Sequence, residues 1–355
     1  MEIADIVKVI FPAATAFVIG IAITPLITHF LYKHKVWKEG GTEGKVAMDG
    51  TEAVEFNKLH AKLELKTPRM GGIVIWASAL ITVMLVTIIA KVFPTAATLK
   101  LDFLSRDQTW IPFLTLVLGA IVGFVNDLLD VRSGGHGLSL KRRLVFVLSM
   151  SGIIGWWFYA KLGVVSVGIP FDGALEIGVF IIPLFMLMTF SLYASGVIDG
   201  IDGLSGGVFA SIFAAYAMIA FHQNQINLAA FCAMLVGALL AFLWFNVPPA
   251  RFFMTETGTM ALTLTLSTVV FMTDSMGGGI GISMLPIIGF LLVITVVSVV
   301  IQVLSKKYRG KKVFIVAPLH HHFEAIGWSP AKVTMRYWIL SIIFAFIGVI
   351  IAVAG

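Results

Sequence analysis

The sequence is poor in cysteine and in charged residues. Its 355 residues include one cysteine, Cys232, so no disulfide forms within the chain and cysteine gives no information about its compartment. Charged residues make up 12% of the chain and hydrophobic residues 59%. Soluble globular proteins carry about 25% charged residues. The balance excludes an ordinary soluble domain and is typical of an integral membrane protein.

Two further features are missing from the sequence. There is no internal repeat and no low-complexity tract, so we predict one polytopic membrane domain over residues 1–355. No cleavage-site pattern follows the first apolar run, and the N-terminus is acidic. We therefore expect the first spanning helix to serve as its own targeting signal.

Long apolar runs dominate what is present. A helix needs about 20 mostly apolar residues to cross the hydrocarbon core, and its backbone groups must be satisfied internally. Ten segments come close to or exceed this length: 9–31, 71–93, 109–126, 143–160, 175–194, 204–222, 228–245, 260–276, 282–304 and 333–353. We predict an all-α integral membrane protein with a bundle of about ten transmembrane helices, and a small hairpin at 164–170.

Lysine and arginine are distributed unevenly between the two sides of this bundle. The loops after helices one, three, five, seven and nine carry nineteen of them, and the other loops carry five. By the positive-inside bias, the first group of loops is cytoplasmic and both termini lie outside. The same bias accounts for the net charge of +6, so we expect no nucleic-acid partner.

Each of these five loops on the predicted cytoplasmic side carries an unusual polar cluster. The clusters are Lys66–Gly72, Asn126–Asp130, Asp199–Gly207, Phe245–Gly258 and Ala317–Glu324. Hard oxygen ligands beside lysines, arginines and histidines, without thiolates, suit Mg²⁺ and phosphate. Phosphoryl transfer depends on charge neutralisation and positioning. We predict that the clusters form one site at the membrane surface, where a water-soluble donor meets a lipid-borne acceptor.

The spacing of the aspartates in one cluster and of the histidines in another predicts how their side chains are arranged. Asp199 and Asp202 would share one face if their segment were helical, and their loop carries no basic residue. We expect Mg²⁺ or the lysines of another loop to balance them. Three consecutive histidines, 320–322, do not face one point on a helix. We expect them to bind phosphate or ribose oxygens rather than one metal ion.

The order of these motifs resembles that of the polyprenyl-phosphate N-acetylhexosamine-1-phosphate transferases. The likeness spans nearly the whole chain, and its most specific part, the run Pro-Leu-His-His-His-Phe-Glu at 318–324, is typical of the peptidoglycan branch. The resemblance implies transfer of phospho-N-acetylmuramoyl-pentapeptide from UDP-N-acetylmuramoyl-pentapeptide to undecaprenyl phosphate, with release of UMP and a requirement for Mg²⁺. It also implies a multi-pass protein of the bacterial inner membrane with a cytoplasmic active site. The sequence leaves open whether the protein is a monomer or a homodimer.

The resemblance also assigns roles to individual residues. The implied catalytic residues are Asp127, Asp199, Glu256 and His321. The implied substrate-binding residues are Lys66, Asp202, Asn246, Phe253, His320 and His322. The implied Mg²⁺ ligands are Glu256 and Asp127.

The chain departs from the family's pattern at several positions. Where the pattern has Asp, Asp, Lys and Thr, this sequence has Asn126, Glu256, Asp130 and Arg69. The longer carboxylate at 256 would move a bound ion by about one methylene, and an error of about 1 Å can cost roughly 10²-fold in rate. If the acid missing at position 126 were the essential base, the chain would be slow or inactive.

Three other functions stay open at this point. A sister transferase would use UDP-N-acetylglucosamine or a related donor, although the triple histidine argues against it. A diverged member could bind nucleotide-sugar or lipid without turnover, as the changes at Asn126 and Glu256 suggest. A transporter or channel would place charges at mid-depth and interrupt its helices, whereas the polar clusters here lie at one interface.

Overall fold

The computed structural model describes residues 3–37, 67–105, 107–133, 137–274 and 276–355. This part of the chain forms thirteen α-helices and one two-stranded sheet. The helices are α1 (Ile3–Lys33), α2 (Ile73–Val92), α3 (Ala96–Leu101), α4 (Trp110–Arg132), α5 (Leu140–Leu162), α6 (Ile181–Ser195), α7 (Leu204–His222), α8 (Ile226–Asn246), α9 (Thr255–Met272), α10 (Gly281–Ile288), α11 (Phe290–Arg309), α12 (Leu319–Ala325) and α13 (Pro330–Ala354).

Most of these helices match membrane dimensions. Nine helical stretches among the described residues are long and apolar enough to cross a membrane. They are α1, α2, α4, α5, α6 with the short 3₁₀ turns at its two ends (Gly178–Ile198), α7, α8, α11 and α13. The prediction of an all-helical integral membrane bundle is therefore confirmed.

A hairpin is present, but it extends beyond the predicted segment 164–170. That segment holds β1 (Ser166–Ile169), which pairs antiparallel with β2 (Gly173–Glu176). Buried Asp274, just after α9, fixes it to the bundle by accepting a hydrogen bond from the backbone N–H of Gly168 at 2.9 Å. The other oxygen of the same carboxylate accepts from the N–H of Ile282 at 2.8 Å. The hairpin thus marks the end of the bundle where α9 finishes.

The helix expected at 260–276 begins five residues earlier and is the central helix of the bundle. Every residue of α9 except Glu256 is buried. The helix is rich in threonine, and the hydroxyls of Thr263 and Thr265 each donate to a backbone carbonyl one turn earlier. These bonds satisfy the hydroxyls in the interior of the protein.

The segment expected as one span at 282–304 is two helices, α10 and α11, separated at Gly289. Pro286 lies inside α10, where it removes a helical N–H and its ring crowds the preceding turn. Glycine adds its low helix propensity three residues later. The prediction of one uninterrupted helix here was wrong.

Two glycines one turn apart bring α4 close to α9. A Cβ on Gly119 would lie 2.9 Å from the Cα of Ala261, and a Cβ on Gly123 would lie 2.2 Å from the carbonyl oxygen of Glu256. Glycines four residues apart are typical of close helix–helix approach in membranes. The first turn of α9 is therefore held directly against α4.

We expect Gly123→Ala to lower the free energy of unfolding by about 1–3 kcal/mol, because its methyl group would overlap the backbone of α9. Gly152→Ala on α5 is the matched control, since its Cβ would come no closer than 3.7 Å to the Sδ of Met186. Thermal unfolding of the purified proteins compares the two. Equal stability would contradict the close contact between α4 and α9.

Candidate functional site

A cavity of about 580 Å³ is lined by residues from four of the five predicted clusters and by Leu140 and Arg143 at the start of α5. Its charged and polar lining includes Arg69, Arg143, Asp199, Asp202, Asn246, Thr255, Glu256 and His321, and its apolar lining includes Leu144, Phe190, Val197 and Phe253. The volume is within the range of about 300–1,000 Å³ that is usual for small-molecule sites. Four of the five predicted clusters thus meet here. The cluster Asn126–Asp130 contributes no lining residue, but its Asp127 and Asp130 contact Thr255 and Arg69 of the lining. Lys66, expected to bind substrate, lies outside the described residues.

The segment before α2 forms one wall of the site. The N–H of Gly71 donates to the carbonyl oxygen of Phe253 at 2.8 Å. A Cβ on Gly72 would lie 2.3 Å from the backbone nitrogen of Gly258. The glycine pair therefore permits the close backbone approach expected from the sequence, and it fixes the α8–α9 loop against α2.

Asp127 is fully buried on α4 and holds the first turn of α9. Its Oδ2 accepts hydrogen bonds from the hydroxyls of Thr255 at 2.6 Å and Thr257 at 2.5 Å, and from the N–H of Thr257 at 2.7 Å. A carboxylate at a helix N-terminus also interacts favourably with the helix dipole. Asp127 is not among the residues that line the cavity. In this structure it anchors α9, and its catalytic and Mg²⁺-binding roles stay predictions.

Asp199 reaches the cavity from the turn after α6. One carboxylate oxygen accepts from the hydroxyl of Ser205 at 2.7 Å and the other from the N–H of Thr255 at 2.8 Å. Burial raises the pKa of Asp199 above its ordinary value. The two hydrogen bonds and the positive charge of Arg69 lower this pKa, but their effect is smaller than that of burial. The carboxylate is thus held beside the start of α9.

Asp202 and Asn246 stabilise the loop between α8 and α9 while also lining the cavity. The Oδ2 of Asp202 accepts from the N–H of Ala250 at 3.0 Å. Asn246 accepts from the N–H of Gly203 at 2.9 Å and donates to a backbone carbonyl in its own loop. Because the chain turns between Asp199 and Asp202 instead of forming a helix, the two carboxylates do not share a helical face.

Glu256 and Arg143 form an ion pair at the cavity. The Nη1 of Arg143, on α5, donates to the Oε1 of Glu256, on α9. The two side chains are 22% and 25% exposed, so both are accessible to a ligand. The Nε of Arg143 is buried and has no hydrogen-bond partner among the described residues. The pair therefore presents both a carboxylate and a guanidinium to the cavity.

Three of the departures from the family's pattern lie in one corner of the site. The Nη2 of Arg69 is 3.5 Å from the Oδ2 of Asp130. Asn126 is buried and accepts from the N–H of Leu138 at 3.0 Å, which joins α4 to the start of α5. The formal charge of the corner is unchanged, because the gain of an arginine and an aspartate balances the loss of a lysine and an aspartate.

The three consecutive histidines have different surroundings. His321 lines the cavity, and its Nδ1 is 2.7 Å from the Oε2 of Glu324. His320 is fully buried, with its ring centroid 4.3 Å from that of His321. The Nδ1 of His322 accepts from the N–H of Ile315 at 3.3 Å. The structure thus brings one histidine to the cavity, while substrate contacts of His320 and His322 stay predictions.

Four residues that orient the site lie within the predicted clusters but were given no role from the sequence. They are Arg69, Ser205, Thr257 and Glu324. For Glu324 the spacing carried a signal, because it lies three residues after His321 on a helix. The other contacts join distant parts of the chain or depend on a turn, and no local pattern indicates them.

The chemistry of the cavity fits Mg²⁺. This ion takes oxygen ligands and is usually bound by one or two carboxylates together with water and substrate phosphates. Asp199 and Glu256 both present carboxylates to the cavity. Within the described ranges, no group of three or more histidine, cysteine, aspartate or glutamate side chains is arranged to hold a metal by itself. A bound ion would therefore take its remaining ligands from water or from phosphate.

Comparison with known proteins agrees with the motif order. Residues 109–274 match the model of glycosyl transferase family 4. The chain is 35% identical to the phospho-N-acetylmuramoyl-pentapeptide-transferase of Geobacillus sp. (strain WCH70), with 95% of this chain and 96% of the relative covered. It is 32% identical to the protein of that name from Clostridium perfringens (strain 13 / Type A), with 96% and 98% covered. It is 33% identical to that from Anoxybacillus flavithermus (strain DSM 21510 / WK1), with 97% and 98% covered.

Proposed function

Because the chain belongs to the family of phospho-N-acetylmuramoyl-pentapeptide-transferases, we propose that its cavity is the transfer site of a peptidoglycan-synthesis enzyme. It transfers phospho-N-acetylmuramoyl-pentapeptide from UDP-N-acetylmuramoyl-pentapeptide to undecaprenyl phosphate and releases UMP. The observation that carries the proposal is one cavity lined by carboxylates, guanidiniums and His321, at the point where membrane helices end. These groups are suited to phosphates and a divalent cation.

The cavity also borders a surface suited to a lipid acceptor. Phe190, on spanning helix α6, lines the cavity and is 38% exposed. The polyprenyl chain would lie in the bilayer beside this surface, and its phosphate would enter the polar part of the cavity. We place the cavity on the cytoplasmic side of the bacterial inner membrane and both termini outside, which the bias of lysine and arginine supports.

The proposed reaction is one phosphoryl transfer. An oxygen of the lipid phosphate attacks the phosphorus bound to the sugar, and the bond from that phosphorus to the bridging oxygen breaks. UMP leaves with the bridging oxygen. The lipid phosphate is a good nucleophile without a strong base, since the second pKa of a phosphate monoester is about 6. Arg143 and His321 would orient the phosphate oxygens and reduce their mutual repulsion.

Asp199 and Glu256 are the residues that would hold Mg²⁺ at this site. When bound, the ion neutralises charge on phosphate oxygens. Ser205 and the N–H of Thr255 fix the carboxylate of Asp199, while Arg143 fixes that of Glu256. Both carboxylates are therefore held in place by the protein's own hydrogen bonds and ion pair.

The choice of donor is tested with purified protein in nanodiscs, undecaprenyl phosphate and Mg²⁺. We expect radiolabel from UDP-N-acetylmuramoyl-pentapeptide to enter lipid at least about 100-fold faster than label from UDP-N-acetylglucosamine, a ratio within reach of substrate discrimination by binding. A preference for UDP-N-acetylglucosamine would assign the chain to a sister activity. Lipid labelling by neither donor would contradict an active transferase.

A further inference from the structure

We propose that Arg69 binds a phosphate of the donor's diphosphate and that Asp130 is its positioning residue. The inference rests on the proposed function and adds a residue to it. Arg69 lines the cavity, its side chain is 24% exposed, and it approaches from the segment before α2 rather than from α5 as Arg143 does. The two guanidiniums thus reach the cavity from different elements.

The backbone around Arg69 is fixed on both sides. Its own N–H donates to the carbonyl oxygen of Val36 at 2.7 Å, and the carbonyl of the preceding Pro68 accepts from the N–H of Phe253 at 2.9 Å. The side chain therefore starts from a rigid base. A fixed base lowers the entropy that is lost when a long side chain binds a ligand.

The guanidinium of Arg69 keeps donors available for a ligand. A guanidinium carries five N–H donors. Its described ion pair uses Nη2 towards Asp130, at 3.5 Å, and its buried Nε has no partner within the described part of the chain. Two oxygens of a phosphate would accept one bond each from the Nε and a neighbouring N–H, in the bidentate geometry that guanidinium and phosphate prefer.

The surrounding charges also favour an anion that arrives with a cation. Arg69 lies close enough to interact electrostatically with Asp199 and Glu256. A diphosphate accompanied by a divalent cation matches this arrangement, because the carboxylates would face the metal and the guanidiniums the phosphate oxygens. Asp130, with a side chain only 11% exposed, would keep the guanidinium turned towards the cavity.

The test compares binding of UDP and of uridine to the purified full-length protein by calorimetry, without turnover. We expect Arg69→Met to weaken UDP binding by about 10- to 100-fold, the range for a lost hydrogen bond to a charged group, and to change uridine binding less than about twofold. Arg69→Lys keeps the charge and should lose less of the affinity for UDP.

Asp130→Asn should weaken UDP binding by a smaller factor than Arg69→Met and raise KM for the donor more than it lowers kcat. Arg132→Met, an exposed arginine on the same helix as Asp130, is the matched control and should bind both ligands normally.

The outcomes separate this proposal from the proposed function. If Arg69→Met and Arg69→Lys both bind UDP like the unmodified protein, Arg69 contacts no phosphate and the proposal is overturned. Equal losses for UDP and uridine would give Arg69 a structural role and would also overturn it. If the unmodified protein itself binds UDP no better than uridine, the donor assignment fails along with it. UDP binding that depends on Arg69 without lipid labelling would support the phosphate contact and contradict only the transfer activity.

Discussion

Glu256→Gln is expected to lower turnover by about 10²–10³-fold, the scale seen when one charge-stabilising group is removed from an active site. Glutamine keeps the volume of the side chain and loses the charge that would hold Mg²⁺. It also leaves Arg143 without its ionic partner at the cavity. Binding of UDP should change far less than kcat, because the guanidiniums remain in place.

Steady-state UMP release and UDP calorimetry on the same preparation measure these two effects. The control is Glu176→Gln, since Glu176 is an exposed residue of β2 at the far end of α9 from the cavity. The control should retain full turnover. Full turnover in Glu256→Gln would show that Glu256 takes no part in the reaction. The departure from the family's aspartate at this position would then have no effect on catalysis.

Asp127→Asn is expected to reduce both stability and turnover. A hydrogen bond to a charged group contributes about 1.5–3 kcal/mol, and the Oδ2 of Asp127 accepts three bonds from Thr255 and Thr257. We expect the free energy of unfolding to fall by about 1–3 kcal/mol even in EDTA. We also expect turnover to fall by about 10²-fold, because the first turn of α9 carries Glu256 and shifts of about 1 Å have effects of this size.

Thermal unfolding in EDTA separates anchoring from metal binding. A residue that only binds Mg²⁺ would not lose stability when it is neutralised without metal, because repulsion from the nearby carboxylates would decrease. Asp172→Asn, at an exposed position in the hairpin turn, is the matched control and should unfold like the unmodified protein. Unchanged or increased stability of Asp127→Asn in EDTA would refute the anchoring role.

The sequence predicted the spanning helices and the meeting of five loops because both follow from patterns of the membrane itself. Apolar runs of spanning length indicate helices, and the bias of lysine and arginine places alternate loops together. The same patterns did not reveal the break at Gly289, since α10 and α11 together form one apolar run. Nor did they show that α9 is enclosed by other helices, because hydropathy does not distinguish contact with lipid from contact with protein.

The sequence identified most residues of the candidate site, but it did not show which contacts each of them makes. Asp199, Glu256 and His321 were identified from motifs, and all three line the cavity. Asp127 was identified as well, but its three bonds to α9 depend on close packing of two helices that no local pattern describes. Arg69 and Asp130 are 61 residues apart in the sequence, and only the folded chain shows that these two departures from the family's pattern form one pair.

UMP release by the purified chain, with and without undecaprenyl phosphate and Mg²⁺, tests the transfer activity most directly. We predict release of UMP from UDP-N-acetylmuramoyl-pentapeptide only when both are present, with one lipid product formed for each UMP. Release without the lipid phosphate would indicate hydrolysis instead of transfer. No release with every component present would contradict the assignment of the cavity as a transfer site.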